Sequence, residues 1–174
     1  MRNKTSTLIM ASLFTALTAI GAFIKIPTPM VPVTLQVMVV ILSGFMLKPK
    51  AALFSQTAYV TIGLLGVPIF TEGGGIQYIL SPTFGYLLGN IVGAWTVSLI
   101  SNKNEHNSYL AAFSGLFVIY LTGASVLYCN LNLVAKIQST IFTTLKIGVI
   151  PFIIPDTLKA IAAILLARKI NKIF

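Results

Sequence analysis

Three acidic residues, Glu72, Glu105 and Asp156, are the whole acidic complement of this 174-residue chain, and long apolar runs separate them. A water-soluble domain covers its core with charge, and roughly a quarter of its residues are charged. Here 9% are charged and 56% hydrophobic, with a mean hydropathy of +0.93. Such a chain folds in a bilayer, and its length suits one membrane-embedded domain over residues 1–174. The formal net charge of +9 does not point to nucleic acid. The lysines and arginines stand singly or in pairs between apolar runs, with no basic arm or patch. Cys129 is the only cysteine, which excludes an intrachain disulfide and any cysteine-based metal cluster. The start, Met1-Arg2-Asn3-Lys4, resembles a signal peptide. Its apolar run continues to Ile26 without a small-x-small cleavage site, so it reads as a retained first helix.

Six apolar segments are expected to form an all-α bundle, over about 6–26, 33–47, 51–66, 84–100, 109–129 and 155–170. Each is broadly suited to a helix crossing ~30 Å of hydrocarbon, with the second and third short. Lys48-Pro49-Lys50 breaks those two into a tight hairpin. Eight basic residues (Arg2, Lys4, Lys48, Lys50, Lys103, Arg168, Lys169, Lys172) fall on one side and four (Lys25, Lys136, Lys146, Lys159) on the other. The positive-inside bias then places both termini in the cytoplasm. The opposite side carries a stiff proline loop, Pro27 to Pro32, and a glycine-rich loop, Val67 to Thr83. The latter can bend back toward the core, where protein or a cavity satisfies its backbone. Leu131, Val134, Ile137, Ile141 and Leu145 recur at helical spacing, which predicts an amphipathic helix within Asn130–Ile150.

Asp156 and Lys159, one turn apart at the mouth of the last segment, are the residues most suggestive of a site. Burying a charge costs several kcal/mol unless it is paired, and ionisable groups in such segments tend to line a ligand site or pathway. Pro155 and Asp156 are expected in the first helical turn, where the dipole favours a carboxylate. Two readings stay open: an N-cap with a snorkelling lysine, or a pair whose ammonium meets a ligand carboxylate while Asp156 accepts N–H bonds. Gln36, in the first turn of the second span, needs either an interhelical partner or a ligand. Gly73-Gly74-Gly75-Ile76-Gln77-Tyr78 is a flexible loop or the edge of a cavity. It is not a Walker A loop, because the Gly-Lys-Ser/Thr ending is missing, so any energy source lies in another subunit or a gradient. In the first span Ala11, Thr15 and Ala19 form one small-residue row, and Ser12 with Ala16 another. These rows pack inside the bundle or face a partner protein. The one histidine, His106, sits in a loop, and no second carboxylate stands near Asp156. No catalytic residue, metal site or cofactor is expected.

Six blocks stand in order along the chain: Val31-Pro32-Val33-Thr34-Leu35-Gln36, Gly63-Leu64-Leu65-Gly66-Val67-Pro68-Ile69-Phe70, the Gly73–Gly75 run, Ser81-Pro82-Thr83-Phe84-Gly85-Tyr86-Leu87-Leu88-Gly89, Gly148-Val149-Ile150-Pro151-Phe152, and Asp156-x-x-Lys159. Together they resemble those of the BioY family, the biotin-binding substrate subunits of energy-coupling-factor vitamin transporters. The resemblance implies a six-helix subunit in a prokaryotic cytoplasmic membrane that captures biotin on the outer side. It would dock onto a transmembrane scaffold subunit driven by two cytoplasmic ATPases, with the proline and glycine loops as gates. It further implies biotin contacts at Asp156, Lys159, Gln77, Gln36, Tyr86 and Gly74. Lys159 would meet the carboxylate or the ureido oxygen, Asp156 would accept ureido N–H bonds or orient Lys159, and Tyr86 would cover the thiophane. The row Ala11, Ser12, Thr15, Ala16, Ala19 would meet the scaffold. A subunit for another small vitamin and a non-transporting membrane scaffold protein are the alternatives.

Overall fold

The computed structural model describes residues 4–27, 31–101 and 107–171. Arg2, Lys103, His106 and Lys172, with Pro29 of the proline loop, lie outside the described residues. The helices are α1 (Lys4–Phe23), α2 (Gln36–Met46), α3 (Pro49–Leu64), α4 (Phe84–Ser101), α5 (Ser108–Cys129), α6 (Ile141–Gly148) and α7 (Ile150–Asn171). A two-stranded antiparallel ladder, β1 (Lys25–Ile26) with β2 (Val33–Thr34), joins α1 to α2.

Among the described residues, four helices are long and apolar enough to cross a membrane: α1, α4, α5 continued to Val134, and α7. The eleven residues of α2 span about 16 Å and the sixteen of α3 about 24 Å at 1.5 Å per residue, short of the ~30 Å hydrocarbon thickness. Length alone therefore identifies four spans, where the apolar pattern predicts six. The short α2 runs through the middle of the bundle, packed against α1, α4 and α7, with Val40 and Ile41 fully buried. Pro49 starts α3 at a position where its missing N–H has no helical partner to lose.

The pair α4–α5 is the most closely packed in the bundle, and three glycines at four-residue spacing explain why. A Cβ on Gly85 would lie 2.5 Å from Val126 Cβ, and one on Gly93 would lie 2.7 Å from Ile119 Cγ1. Gly89, between them, faces the Ile119 backbone and the Thr122 side chain. In lipid, where helices gain nothing from excluding water, such close approach is a main source of association.

Three boundaries depart from the pattern in the sequence. The first helix ends at Phe23 rather than Ile26, because Lys25–Ile26 pairs with Val33–Thr34 and Leu35 N–H donates to Ile24 O at 3.0 Å. The predicted amphipathic helix is reduced to α6: Asn130–Val134 forms a π-helical turn and α6 starts only at Ile141, capped by Thr140, which accepts from Thr143 N–H. The last helix begins at Ile150, five residues before the expected start. Pro151 takes its first turn, and Pro155 lies inside it, removing the N–H that would meet the Pro151 carbonyl. Asp156 is thus well inside α7, and the macrodipole at the helix start does not account for its charge.

The glycine-rich loop folds back as expected. Phe70 is buried and meets Tyr59 edge-on at 5.5 Å and Tyr78 at 4.6 Å between ring centroids. Gly73 and Gly75 adopt φ of +113° and +107°, a region open to glycine at little steric cost. The turn is pinned by Phe70 N–H to Gly73 O at 2.9 Å and Gly75 N–H to Gly63 O at 2.7 Å.

Candidate ligand-binding site

Beneath the two loops a narrow cleft opens among α2, α4, α5 and α7, with a cavity volume of about 50 Å³. That is below the ~300–1,000 Å³ of small-molecule sites, so a bound molecule has to part the neighbouring side chains. Each wall has a distinct chemistry. Thr34 and Gln36 come from β2 and the start of α2, and Tyr86 and Asn90 from α4. Ile119 and Tyr120 come from α5, and Phe152 and Asp156 from α7. Thr71, Tyr78 and Thr83 form the roof. There Tyr78 Oη accepts from Thr83 Oγ1 at 3.0 Å and lies 2.9 Å from Thr71 Oγ1. Lys25 Nζ donates to Thr71 O, tying the proline hairpin to the glycine-rich loop.

Asp156 is 3% exposed and is, among the described residues, the only acidic one on the cleft. Lys159 Nζ donates to its Oδ1 at 2.7 Å, and Tyr120 Oη donates to its Oδ2 at 2.9 Å. The i, i+3 spacing seen in the sequence therefore does produce an ion pair. Lys159 does not line the cleft itself and reaches it through the carboxylate. A buried carboxylate held by one cation and one hydroxyl still has lone pairs to offer, since each ionised oxygen accepts more than one bond. It can take N–H donors from a bound molecule.

The remaining predicted residues divide. Tyr86 lines the cleft, its ring seated against Gly123, and its hydroxyl donates to Gly148 O at 2.7 Å. Gln36 also lines it, 5% exposed, with Nε2 beside the Tyr59 hydroxyl but without a well-formed hydrogen bond. Gln77 and Gly74 do not line it: Gln77 is exposed and donates through Nε2 to Gly74 O at 2.8 Å, while Gly74 is pressed against the Val67 and Gly63 carbonyls. The small residues of α1 separate by face. Ala11 and Thr15 are buried, with Thr15 Oγ1 donating to Ser55 O at 2.9 Å, and Ala19 is half-buried. Ser12 and Ala16 are exposed, on the side that carries Leu8, Ile9, Leu13 and Ile20.

Two cleft residues escape the sequence reading. Tyr120, the second partner of Asp156, is one of six tyrosines and carries no local signal. Asn90, 2% exposed, stands in an apolar helix just after Gly89. The rule that singled out Gln36, an amide inside a span needing a partner, applies to it equally.

The BioY family profile matches residues 1–174. A protein of Lysinibacillus sphaericus described as a probable biotin transporter BioY is 40% identical, covering 99% of this chain and 90% of its own. The biotin transporter BioY of Thermotoga maritima is 38% identical, over 95% of this chain and 96% of its own. Among solved structures, the S-component for biotin from an ECF-type ABC transporter superposes with a TM-score of 0.80 at 26% identity, covering 99% of this chain and 95% of that one. With its full length inside the family profile and its helices on the same fold, the chain belongs to the BioY family.

Proposed function

We propose that this chain is the substrate-specific subunit of an energy-coupling-factor transporter, capturing biotin and delivering it across a prokaryotic cytoplasmic membrane without chemical change. The observation that carries the reading is the buried Asp156, held by Lys159 and Tyr120 on a cleft roofed by the two outer loops. Family membership selects biotin as the ligand, because relatives of 40% and 38% identity are described as biotin transporters. Biotin offers an apolar thiophane, a ureido group and a carboxylate, and the cleft offers an apolar wall of Ile119 and Phe152 beside the Asp156 carboxylate.

In this reading α2 and α3 complete six crossings, because their short ends meet protein rather than lipid. The cleft faces outward and both termini lie in the cytoplasm, following the eight-to-four lysine and arginine bias. Asp156, Lys159, Gln36 and Tyr86 contact or orient biotin, while Gln77 and Gly74 act at the gate. A transmembrane scaffold subunit docks on α1, and two cytoplasmic ATPase subunits supply the energy.

Equilibrium binding of labelled biotin to the purified subunit, with thiamine and riboflavin as competitors, tests the proposal. Expected is saturable binding that neither competitor displaces and that Lys159→Ala and Asp156→Asn lose while remaining folded. A folded wild type that binds no biotin overturns it. Displacement by another vitamin reassigns the ligand within the same transport class.

A further inference from the structure

Three buried polar atoms lack a well-formed hydrogen bond among the described residues: Gln36 Nε2, whose neighbour is the Tyr59 hydroxyl already committed to Ile69 O, together with Asn90 Oδ1 and Gln56 Oε1. Native structures hold few such atoms, and each calls for an explanation. Gln56 lies in the sealed core, where its Nε2 donates to Thr18 Oγ1 at 3.1 Å, so that amide is anchored at one end. The other two both line the cleft. They come from different helices, α2 and α4, and they are complementary: one is a donor and the other an acceptor.

We infer that Gln36 and Asn90 together form the subsite that reads the ureido group of the ligand, an assignment that rests on the biotin reading above. A cyclic urea carries a carbonyl flanked by N–H groups. Gln36 Nε2 meets the carbonyl and Asn90 Oδ1 accepts one N–H, while Asp156 on the same cleft remains for the other. Two acceptors and one donor on the protein match two donors and one acceptor on the ligand. A ligand with only apolar rings leaves both amides unpaired, and one with only a carboxylate satisfies Gln36 Nε2 but leaves Asn90 Oδ1 unpaired. Neither orphan atom reaches solvent. A ligand therefore reaches them by parting the neighbouring side chains, and pairing them offsets the cost of their burial. Side-chain amides are suited to this, because each offers both a donor and an acceptor and matches an adjacent C=O and N–H in either orientation.

Opposite signs in two measurements distinguish this role from a structural one. Asn90→Leu replaces the amide by an apolar side chain of similar size. It is expected to leave the melting temperature of the ligand-free protein unchanged or higher, while biotin affinity falls tenfold or more. A structural amide behaves the other way, with a lower melting temperature and affinity within twofold of wild type, and that result overturns the inference. The second arm compares biotin with 2-iminobiotin, held neutral at alkaline pH, in which an imine replaces the ureido oxygen. Wild type is expected to prefer biotin, and Gln36→Met to lose most of that preference. Because the readout is a ratio within one variant, a general loss of stability does not move it. Preference retained in Gln36→Met overturns the inference and leaves the biotin reading standing. Wild type that binds no biotin at all overturns both.

Discussion

At the Met46 end of α2, Gly44 lies so close to α4 that a Cβ there would sit 2.6 Å from Val97 Cβ. The polar groups beside it are matched: Ser98 Oγ donates to Leu47 O at 2.6 Å, and Ser43 Oγ to Val40 O at 2.7 Å. At the Gln36 end the same two helices diverge around the cleft, and the amides of Gln36 and Asn90 each leave an atom unpaired. Both ends are buried, and both are built on the same pair of helices. The closely packed end holds an unpaired atom only in Gln56 Oε1, whose amide is anchored through Nε2 to Thr18 and Ser43, whereas the other end opens onto a cleft lined by two unpaired amides. Burial with an unpaired atom therefore does not mark a site by itself; an unpaired amide lining a cleft is the distinguishing feature.

The strongest way to break this contrast is to unbalance the charged edge of the cleft. Lys159→Ala leaves Asp156 buried without its cation, a change that costs about 3–5 kcal/mol when a buried pair loses one partner. Biotin binding is expected to fall more than a hundredfold, with a lower melting temperature. The double variant Asp156→Asn/Lys159→Met is expected to regain the melting temperature but not the binding, as read by thermal unfolding and labelled biotin side by side. Next, Gly44→Val overpacks the sealed end and is expected to destabilise by about 1–3 kcal/mol. Affinity measured on the folded fraction should stay within threefold of wild type. If it falls with stability, the two ends are not independent. Tyr120→Phe removes one hydrogen bond to a carboxylate, about 1.5 kcal/mol, and is expected to weaken biotin roughly tenfold with little change in melting.

The smallest effect in the isolated subunit is expected outside both regions, on the exposed row of α1. Ser12→Leu and Ala16→Leu alter surface positions, where substitutions stay within about 0.5 kcal/mol, and biotin binding should not change. Uptake in cells carrying the scaffold and ATPase subunits should nevertheless fail if this row is the docking face. Ala11→Leu, on the buried row, should instead lower the melting temperature. Reversal of these two results would move the docking face to the other row.

Much of the fold was legible in the residues because the signals are local. Apolar run lengths located the helices to within a few residues, and the i, i+3 spacing of Asp156 and Lys159 anticipated their ion pair. Prolines misled at two points. Pro155 reads as a helix start, yet α7 runs through it from Ile150. Pro27 reads as the end of a helix, yet α1 stops at Phe23 because the hairpin competes for the backbone. The candidate site was half legible. Asp156, Gln36 and Tyr86 line the cleft, whereas Gln77 turns back onto Gly74.

The amino-acid sequence by itself determined the solvent, the helices and the family, since hydropathy, charge count and ordered blocks need no knowledge of what lies across the bundle. Only the tertiary structure decided which small row of α1 is buried, that Tyr120 joins Asp156, and that Gln36 and Asn90 share a cleft with unpaired amides. Those outcomes depend on how each helix is rotated about its axis and where it crosses its neighbours. Spacing along one chain says which residues share a face, and only packing says what that face meets.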